Sequence, residues 1–172
     1  RDNSFSTFDK LSGPGNAFIF QIFRDNSGKL WICTESSGIF KYAEGYFKRY
    51  GINNGLSTNT ARIGLQDHEG RLIFGTEKNV VQFINEKFYE IPIPKELKGP
   101  YDMLFLDSQN TLWIGGTTGV VSLVWKNNLP QTKFFPISSK AEYQVYGICE
   151  GDNHDIYLGT FHAGLFKLSN GI

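Results

Sequence analysis

The chain has 172 residues, a length that fits one domain. Its 17 Lys and Arg residues balance its 17 Asp and Glu residues, so no net charge attracts nucleic acid or an anionic membrane. No apolar run reaches the roughly 18 residues of a membrane-spanning helix. Aromatic residues make up 15% of the chain, which also holds 19 Gly, and this composition favours strands and turns over helices. The sequence therefore predicts an all-β protein with no nucleic-acid partner and no cofactor.

Strand candidates follow one another along the whole chain, separated by short turns rich in Gly, Asp and Asn. They lie, in chain order, at 4–8, 18–23, 29–34, 39–42, 46–50, 62–65, 72–75, 80–83, 88–91, 103–106, 112–115, 120–124, 133–135, 143–149, 156–159 and 165–168. Within this series one pattern recurs, an apolar-aromatic-apolar run that ends in a small residue. It reads LWICT, LIFGT, LWIGG and IYLGT, and its copies begin at Leu30, Leu72, Leu112 and Ile156.

The copies are roughly 40 residues apart, a period typical of β-propeller blades when each period reads as four short strands. We therefore predict a single β-propeller region over residues 1–172, built of four four-stranded blades. An outer strand falls within 1–16, complete blades within 17–60, 61–100 and 101–142, and an incomplete blade within 143–172. The outer strand would complete the last blade. Because the chain begins within a repeat, we expect it to be part of a larger propeller.

The hairpin turns explain why the period repeats. Asp25 and Asp67 each stand three residues before a Gly, so the carboxylate can accept backbone N–H groups while Gly takes a positive φ. Asp107 is followed in the same way by Asn, which tolerates that conformation. Gly151 replaces Asp in the fourth unit, and we expect that hairpin to be the least well defined.

These residues resemble the two-component regulator propeller repeat, in the segments DNSGKLWICTESSGIFKY, DHEGRLIFGTEKNVVQF, DSQNTLWIGGTTGVVSL and GDNHDIYLGTFHAGLFKL. The linker GLSTNTARI fits the same repeat. Departures are Cys33 for Gly, Phe74 and Tyr157 for Trp, and the turn at Gly151. The resemblance implies a periplasmic or extracellular sensor region of a bacterial membrane receptor, usually a hybrid histidine kinase or a cyclic-nucleotide enzyme, often tuned to carbohydrate breakdown products. Its partners would include the neighbouring domains of that receptor.

In a propeller, the loops between blades and the loops from second to third strand open on one face, the usual binding surface. On this face, stacking of Tyr rings and hydrogen bonds from Arg, Asp and Gln would suit a carbohydrate or another small ligand. The opposing interpretation is that each of these residues is an ordinary solvated loop residue. The predicted ligand-binding residues are Asn59, Arg62, Tyr101, Asp102, Tyr143, Gln144 and His162.

Other chemistry finds little support in the residue pattern. The dense group Asp152, His154 and Asp155 lies in a hairpin on the face opposite His162, so we predict no metal site. His68 lies in a hairpin turn, where we expect it to be exposed. Two residues, Cys33 and Cys149, fall on inner strands and are predicted to be buried small hydrophobes rather than a disulfide or a nucleophile. One indole, that of Trp125, is predicted to be exposed enough to touch a partner.

Three functions remain open. The favoured one is a ligand-sensing or interaction module without catalysis in this segment. A propeller enzyme of lyase or glycosidase type would need a His/Glu or paired-carboxylate centre, for which Glu35 and Glu77 are the candidates at matching positions. A purely structural role would use the end blades to pair with another chain, since unsealed sheet edges invite association, and a homodimer would be one result.

Overall fold

The structure is a computed structural model that describes residues 4–8, 13–137 and 143–169. The described residues form four antiparallel sheets, and their only helical segments are single 3₁₀ turns at Ile52–Asn54 and Asp152–His154. The all-β prediction is therefore confirmed. The strands are β1 (Ile19–Arg24), β2 (Leu30–Thr34), β3 (Ile39–Ala43), β4 (Tyr46–Tyr50), β5 (Ala61–Gln66), β6 (Leu72–Thr76), β7 (Val80–Ile84), β8 (Lys87–Glu90), β9 (Met103–Leu106), β10 (Leu112–Gly115), β11 (Gly119–Lys126), β12 (Leu129–Pro136), β13 (Val145–Glu150), β14 (Ile156–Thr160) and β15 (Gly164–Leu168).

Each sheet is a meander in which consecutive strands pair. The first sheet is β1-β2-β3-β4, the second β5-β6-β7-β8 and the third β9-β10-β11-β12, while the fourth contains β13-β14-β15. The first strands of neighbouring sheets lie side by side, β1 against β5, β5 against β9, and β9 against β13. Four radially arranged sheets with adjacent inner strands are the architecture of a β-propeller.

A buried aspartate holds each of the first and third hairpins. Oδ1 of Asp25 accepts the backbone N–H groups two and four positions further on, at 2.9 and 3.0 Å, and Oδ2 accepts the indole N–H of Trp31 at 2.9 Å. Asp107 makes the same bonds in the third sheet, with Trp113 at 2.8 Å. Burial would raise the pKa of Asp25, but the hydrogen bonds from Ser27, Trp31 and Lys29 outweigh it and lower the pKa. The turn residue and the core indole therefore stabilise each other.

The second hairpin uses a different donor. Oδ2 of Asp67 accepts from Nη1 of Arg71 at 2.9 Å in place of an indole. The strand register places Ile73, and not Phe74, at the position of Trp31. This corrects the alignment drawn from the sequence, in which Phe74 replaced the tryptophan. In the second sheet the aromatic residue, Phe74, stands one position later, so its side chain points to the other face of the strand. There the centre of its ring lies 5.4 Å from that of Trp31.

The fourth hairpin forms although Asp is missing. The N–H of Gly151 donates to the carbonyl oxygen of Asp155 at 2.8 Å, and β13 pairs with β14 up to the hairpin, where Glu150 faces Ile156. A Cβ on Gly151 would lie 2.6 Å from the ring of Tyr157, so this ring occupies the space that a side chain at 151 would need. Gly151 and Tyr157 therefore fit together, because the ring fills the space beside a residue that has no side chain.

Apolar clusters fill the space between neighbouring sheets. The cluster between the first and second sheets contains Trp31, Tyr50 and Phe74, each at most 1% exposed. Between the second and third sheets lie mainly aliphatic residues such as Ile73 and Ile114, and between the third and fourth sheets Trp113 packs with a third group. The sheets bury one another's faces, which explains why the second strands read as continuous apolar runs.

The predicted outer strand at the N-terminus is corrected. Residues 4–8 are described and form no strand, and the ring of Phe8 packs against the first sheet, 5.0 Å from Phe47 and 5.9 Å from Tyr42. The described part of the fourth sheet has three strands and receives none from this segment. Aromatic contacts with the first sheet hold Phe8, so it does not complete the last blade. Residues 1–3, 9–12, 138–142 and 170–172 of the predicted segments lie outside the described residues.

Glycines lie where one sheet closely approaches the next part of the chain. A Cβ on Gly75 would overlap the carbonyl oxygen of Tyr101, and one on Gly115 would lie 3.0 Å from Val145. At Gly159, the equivalent residue of the fourth sheet, the nearest heavy atom would be 4.0 Å away. The outer face of the fourth sheet is therefore uncovered among the described residues.

Candidate functional site: the loop face and the inner-strand row

The two loop types that the repeat places at one end of the sheets are joined by hydrogen bonds. The hydroxyl of Thr60 donates to the carbonyl oxygen of Glu35, and the N–H of Gly38 donates to the carbonyl oxygen of Asn59 at 2.8 Å. The hydroxyl of Thr58 donates to Oε1 of Glu77 at 2.8 Å. These bonds form one continuous surface from the first and second sheets, which we call the loop face.

The loop face continues across the third and fourth sheets. The N–H of Thr117 donates to the carbonyl oxygen of Lys98 at 2.8 Å, and the N–H of Tyr143 donates to the carbonyl oxygen of Thr117 at 2.6 Å. The N–H of Phe161 donates to the carbonyl oxygen of Gln144 at 2.9 Å. Each of the loops named above is thus bonded to a neighbour, which fixes the backbone beneath their exposed side chains.

One position is irregular in three of the four inner strands. In β1, β5 and β13 the pairing with the next strand shifts at a single residue, which is Phe20, Arg62 and Tyr146 respectively. Asp102 stands at the same place before β9, directly ahead of the residue paired with Gly115. A bulged residue is re-aimed relative to its strand. The four residues form what we call the inner-strand row, with one side chain from each sheet.

Three members of the inner-strand row touch in sequence. The guanidinium carbon of Arg62 lies 4.8 Å from the centre of the Phe20 ring, and Nε of Arg62 lies 3.2 Å from Oδ1 of Asp102. The side chain of Arg62 is 31% exposed and that of Asp102 is 8% exposed. Burial raises the pKa of Asp102, and the charge of Arg62 opposes this rise. Neither of the two paired atoms has a hydrogen-bond partner of good geometry among the described residues.

This arrangement suits a polar organic ligand. The aromatic ring supplies an apolar surface, and the exposed part of the guanidinium supplies fixed donors held in place by the buried carboxylate. The three residues in contact, Phe20, Arg62 and Asp102, come from the first three sheets, so a ligand bound here would contact all three.

Of the predicted ligand-binding residues, Arg62 and Asp102 are brought together by the structure. Gln144 lies on the same face, where its amide donates to the carbonyl oxygens of Pro100 at 3.2 Å and of Val145 at 3.4 Å. Tyr143 is half-buried beside it. These bonds position Gln144 across the joint between the third and fourth sheets.

The other predicted residues lie apart. Tyr101 is only 7% exposed, and its hydroxyl donates to the carbonyl oxygen of Leu97 at 3.3 Å, so its ring belongs to the core and cannot stack on a ligand. Asn59 has its side-chain oxygen buried without a hydrogen-bond partner among the described residues. The exposed His162 packs its ring 3.8 Å from that of Phe161.

Phe20 was missed by the sequence argument, which looked at the linkers between blades. The signal that could have found it is its distance from the small residue of the repeat, since Phe20 stands thirteen residues before Cys33 as Arg62 stands thirteen before Gly75. Equivalent positions of a repeat come together at a propeller centre.

Two predictions about exposure need correction. Cys33 is fully buried as predicted, and burial raises the pKa of its thiol to about 12. The burial predicted for Cys149 is wrong, because this residue is exposed on the uncovered fourth sheet. Both thiols are free. Trp125 is half-buried, with the guanidinium carbon of Arg71 4.5 Å from the centre of its ring, so it is less accessible than predicted.

The catalytic candidates are not assembled. Glu35 and Glu77 are exposed on separate loops, where Glu77 accepts from Thr58 and His162 packs on Phe161. His68 is exposed in its turn, as predicted. Among the residues that the structure describes, no group of three or more His, Cys, Asp and Glu side chains could hold a metal ion.

Comparison with known proteins places this geometry in a family context. Residues 12–36 match the family model of the two component regulator propeller. The resemblance to this family is confirmed. A comparison with curated proteins found no match.

Two solved structures with a similar fold are extracellular domains assigned to hybrid two component systems of B. thetaiotaomicron. One is 21% identical with a TM-score of 0.75, over 93% of this chain and 24% of that domain. The other is 16% identical with a TM-score of 0.76, over 97% of this chain and 24% of that domain. The chain therefore spans about a quarter of the length of each of these extracellular domains. At these identities the likeness shows the fold.

Virginiamycin B lyase from Staphylococcus aureus has the same fold at a greater distance. It is 17% identical with a TM-score of 0.67, over 92% of this chain and 58% of the lyase. At this identity the likeness shows the propeller fold alone. Within the described residues of the present chain, no helix is both long enough and apolar enough to cross a membrane.

Proposed function

We propose that this two component regulator propeller segment is the ligand-sensing or interaction part of a periplasmic or extracellular bacterial receptor, without catalysis of its own. The match over residues 12–36 and the likeness to extracellular domains of two component systems support this proposal. A histidine kinase is the output domain that we propose for the parent protein. The neighbouring domains of that receptor are its proposed partners.

The observation that carries the proposal is the contact of Phe20, Arg62 and Asp102 across three sheets. An aromatic ring beside a partly exposed guanidinium is suited to a sugar, because the ring covers an apolar sugar face while the guanidinium donates to its hydroxyl or carboxylate groups. The proposed ligand is therefore a carbohydrate, including acidic oligosaccharides. Gln144 and His162, on the same loop face, are proposed to make additional contacts.

The proposed signal is a change in how the propeller docks on its neighbouring domain. A ligand that bridges the inner-strand row would restrain the first three sheets relative to one another. It can shift the docking equilibrium only if it binds one docked state more tightly than the other.

Retention on a panel of immobilised glycans tests the site. The variant Arg62→Gln removes the charge, and Phe20→Leu keeps an apolar side chain but removes the ring. We expect Arg62→Gln to lower retention about tenfold, because a charge-assisted hydrogen bond is lost, and Phe20→Leu to lower it by about threefold. Arg24→Gln is the matched control, since Arg24 ends β1 at the hairpin end and donates there to the carbonyl oxygen of Gly28 at 3.3 Å.

Different results would contradict the proposed binding residues and the proposed ligand class. Retention that is equal in the wild type and both variants would remove Phe20 and Arg62 from the site. Absence of retention on every glycan would contradict the carbohydrate class. Thermal unfolding of each variant shows whether a loss reflects binding or folding.

Self-association is proposed as a second property. Phe18, just before β1, and Ile22 in β1 are 63% and 56% exposed, and the fourth sheet exposes Tyr146 and Leu165 at 61% and 73%. Apolar faces at both ends of the row of sheets can pair with a second copy. Sedimentation velocity would show a dimer at micromolar concentration, and a monomer at all concentrations would contradict this proposal.

A further inference from the structure

An internal carboxylate occupies the outer cleft between the first and second sheets. Glu86, in the turn between β7 and β8, places Oε1 3.0 Å from the ammonium of Lys41. Its Oε2 accepts from the ammonium of Lys48 at 2.6 Å and from the hydroxyl of Tyr50 at 2.6 Å. This cleft is therefore a carboxylate site that the chain fills itself.

The third sheet keeps part of the same site. The strand register places Lys133 at the position of Lys48, and Phe135 at the position of Tyr50. The ammonium of Lys133 lies 5.0 Å from the centre of the Phe135 ring. Lys133 forms no ion pair with any of the described residues, so its charge lacks the partner that Lys48 has.

The sequence does not supply a counterpart of Glu86 for this second cleft. Glu86 stands three residues after Phe83, which pairs with the start of β6. Leu168 pairs in the same way with the start of β14, and the third residue after it is Gly171. A glycine carries no carboxylate, so the sequence has no counterpart of Glu86 at that position.

A cavity of about 190 Å³ lies between the third and fourth sheets. Trp113 and Phe135 give it an apolar floor, and Ser122, Lys133 and His154 contribute polar groups to its walls. The carboxylate of Asp107 also borders the cavity, but it already accepts two backbone N–H groups and the Trp113 indole. The ring of His154 is held by Glu150, with 2.6 Å between Nδ1 and Oε1.

We propose that this outer cleft binds a small organic carboxylate, with the carboxylate at Lys133 and the apolar body against Trp113 and Phe135. The bound carboxylate takes the place that Glu86 takes in the first cleft. An ammonium beside an aromatic floor fixes both ends of such a ligand. The cleft lies on the side of the hairpin turns, away from the loop face, so this site is independent of the proposed sensing site.

Nuclear magnetic resonance of the 172-residue chain tests the proposal with benzoate as the probe and benzyl alcohol as its uncharged control. The chain has three Trp residues, so its spectrum contains three indole N–H signals. The variants Trp125→Phe and Trp113→Phe assign two of them, and the third belongs to Trp31. We expect benzoate to move the Trp113 signal in a saturable way. The Trp31 signal should stay in place, because Glu86 already fills its cleft.

Two variants locate the charge. Lys133→Met should weaken benzoate binding about threefold to fivefold, as expected for a partly exposed ion pair, and should leave benzyl alcohol binding unchanged. Lys126→Met is the matched control, because Lys126 is an exposed residue at the end of β11 and does not line the cavity. The proposal is overturned if the Trp113 signal does not respond to benzoate, or if benzoate and benzyl alcohol bind equally. It is also overturned if Lys133→Met binds benzoate as tightly as Lys126→Met and the wild type do.

Discussion

Replacing Glu86 by Gln tests whether one carboxylate ties the first two sheets together. Glu86 belongs to the second sheet, and its three partners Lys41, Lys48 and Tyr50 belong to the first. Gln keeps the length and shape of the side chain but carries no charge. The two ammonium groups would then face each other without a counterion.

The expected loss follows from the pKa of Glu86. Hydrogen bonds from Lys48 and Tyr50 lower this pKa from 4.5 to about 2, with Lys41 adding to the effect and burial opposing it. Taken alone, this difference corresponds to about 3 kcal/mol. The side chain is 48% exposed, however, and solvent screening reduces the contribution to about 1 kcal/mol.

The pH dependence gives the sharper test. Because the folded-state pKa is below the unfolded-state value, Glu86 stabilises the fold fully above pH 4.5 and loses this contribution as the pH falls towards about 2. Urea unfolding followed by tryptophan fluorescence should show Glu86→Gln less stable than the wild type by about 1 kcal/mol near neutral pH. The difference should shrink steadily below pH 4.5.

A control for the charge itself is Glu44→Gln, because Glu44 is exposed in the corresponding turn of the first sheet. It should change the stability little at any pH. The reasoning is refuted if Glu86→Gln is as stable as the wild type at neutral pH, or if its loss is the same near pH 3 as near pH 7, where about 1 kcal/mol is expected.

Three further predictions concern packing and accessibility. Gly75→Ala should destabilise the protein by about 2 kcal/mol or more, because its methyl group would overlap the next sheet's backbone, whereas Gly159→Ala should stay within about 0.5 kcal/mol in the same urea assay. Asp107→Ala should cost about 2 to 4 kcal/mol, because two backbone N–H groups and a buried indole lose their acceptor; a cost below that of a surface substitution would contradict the turn's role. A thiol reagent should modify Cys149 in the native protein and Cys33 only after unfolding, as mass spectrometry of the peptides can show. Modification of Cys33 in the native protein would contradict this prediction.

Much of the fold could be predicted because the decisive signals are local. Asp25 and Gly28 are three residues apart, and the bonds they make close one hairpin. The apolar run from Leu30 to Thr34 marks a strand covered on both faces. Such signals repeat in each unit, so fifteen of the predicted strands appear in the structure with ends that differ by a few residues.

The candidate site was less accessible to sequence reasoning. Arg62 and Asp102 were named because their residue types suit a polar ligand, and the structure pairs them. Tyr101 was named for the same reason, yet it is buried, because the residue type does not show on which side of the chain a loop side chain falls. The bulge that sets Phe20 beside Arg62 shifts the register by one residue, and nothing in the strand's composition marks it.

The sequence by itself determined that four similar antiparallel sheets form, since turn chemistry and strand pattern act over a few residues. Tertiary structure decided which side chains of different sheets meet. Phe20 and Arg62, or Lys48 and Glu86, are about 40 residues apart along the chain and become neighbours only when whole sheets pack face to face. Local pattern therefore specifies the blades, and the packing of blade against blade creates the sites.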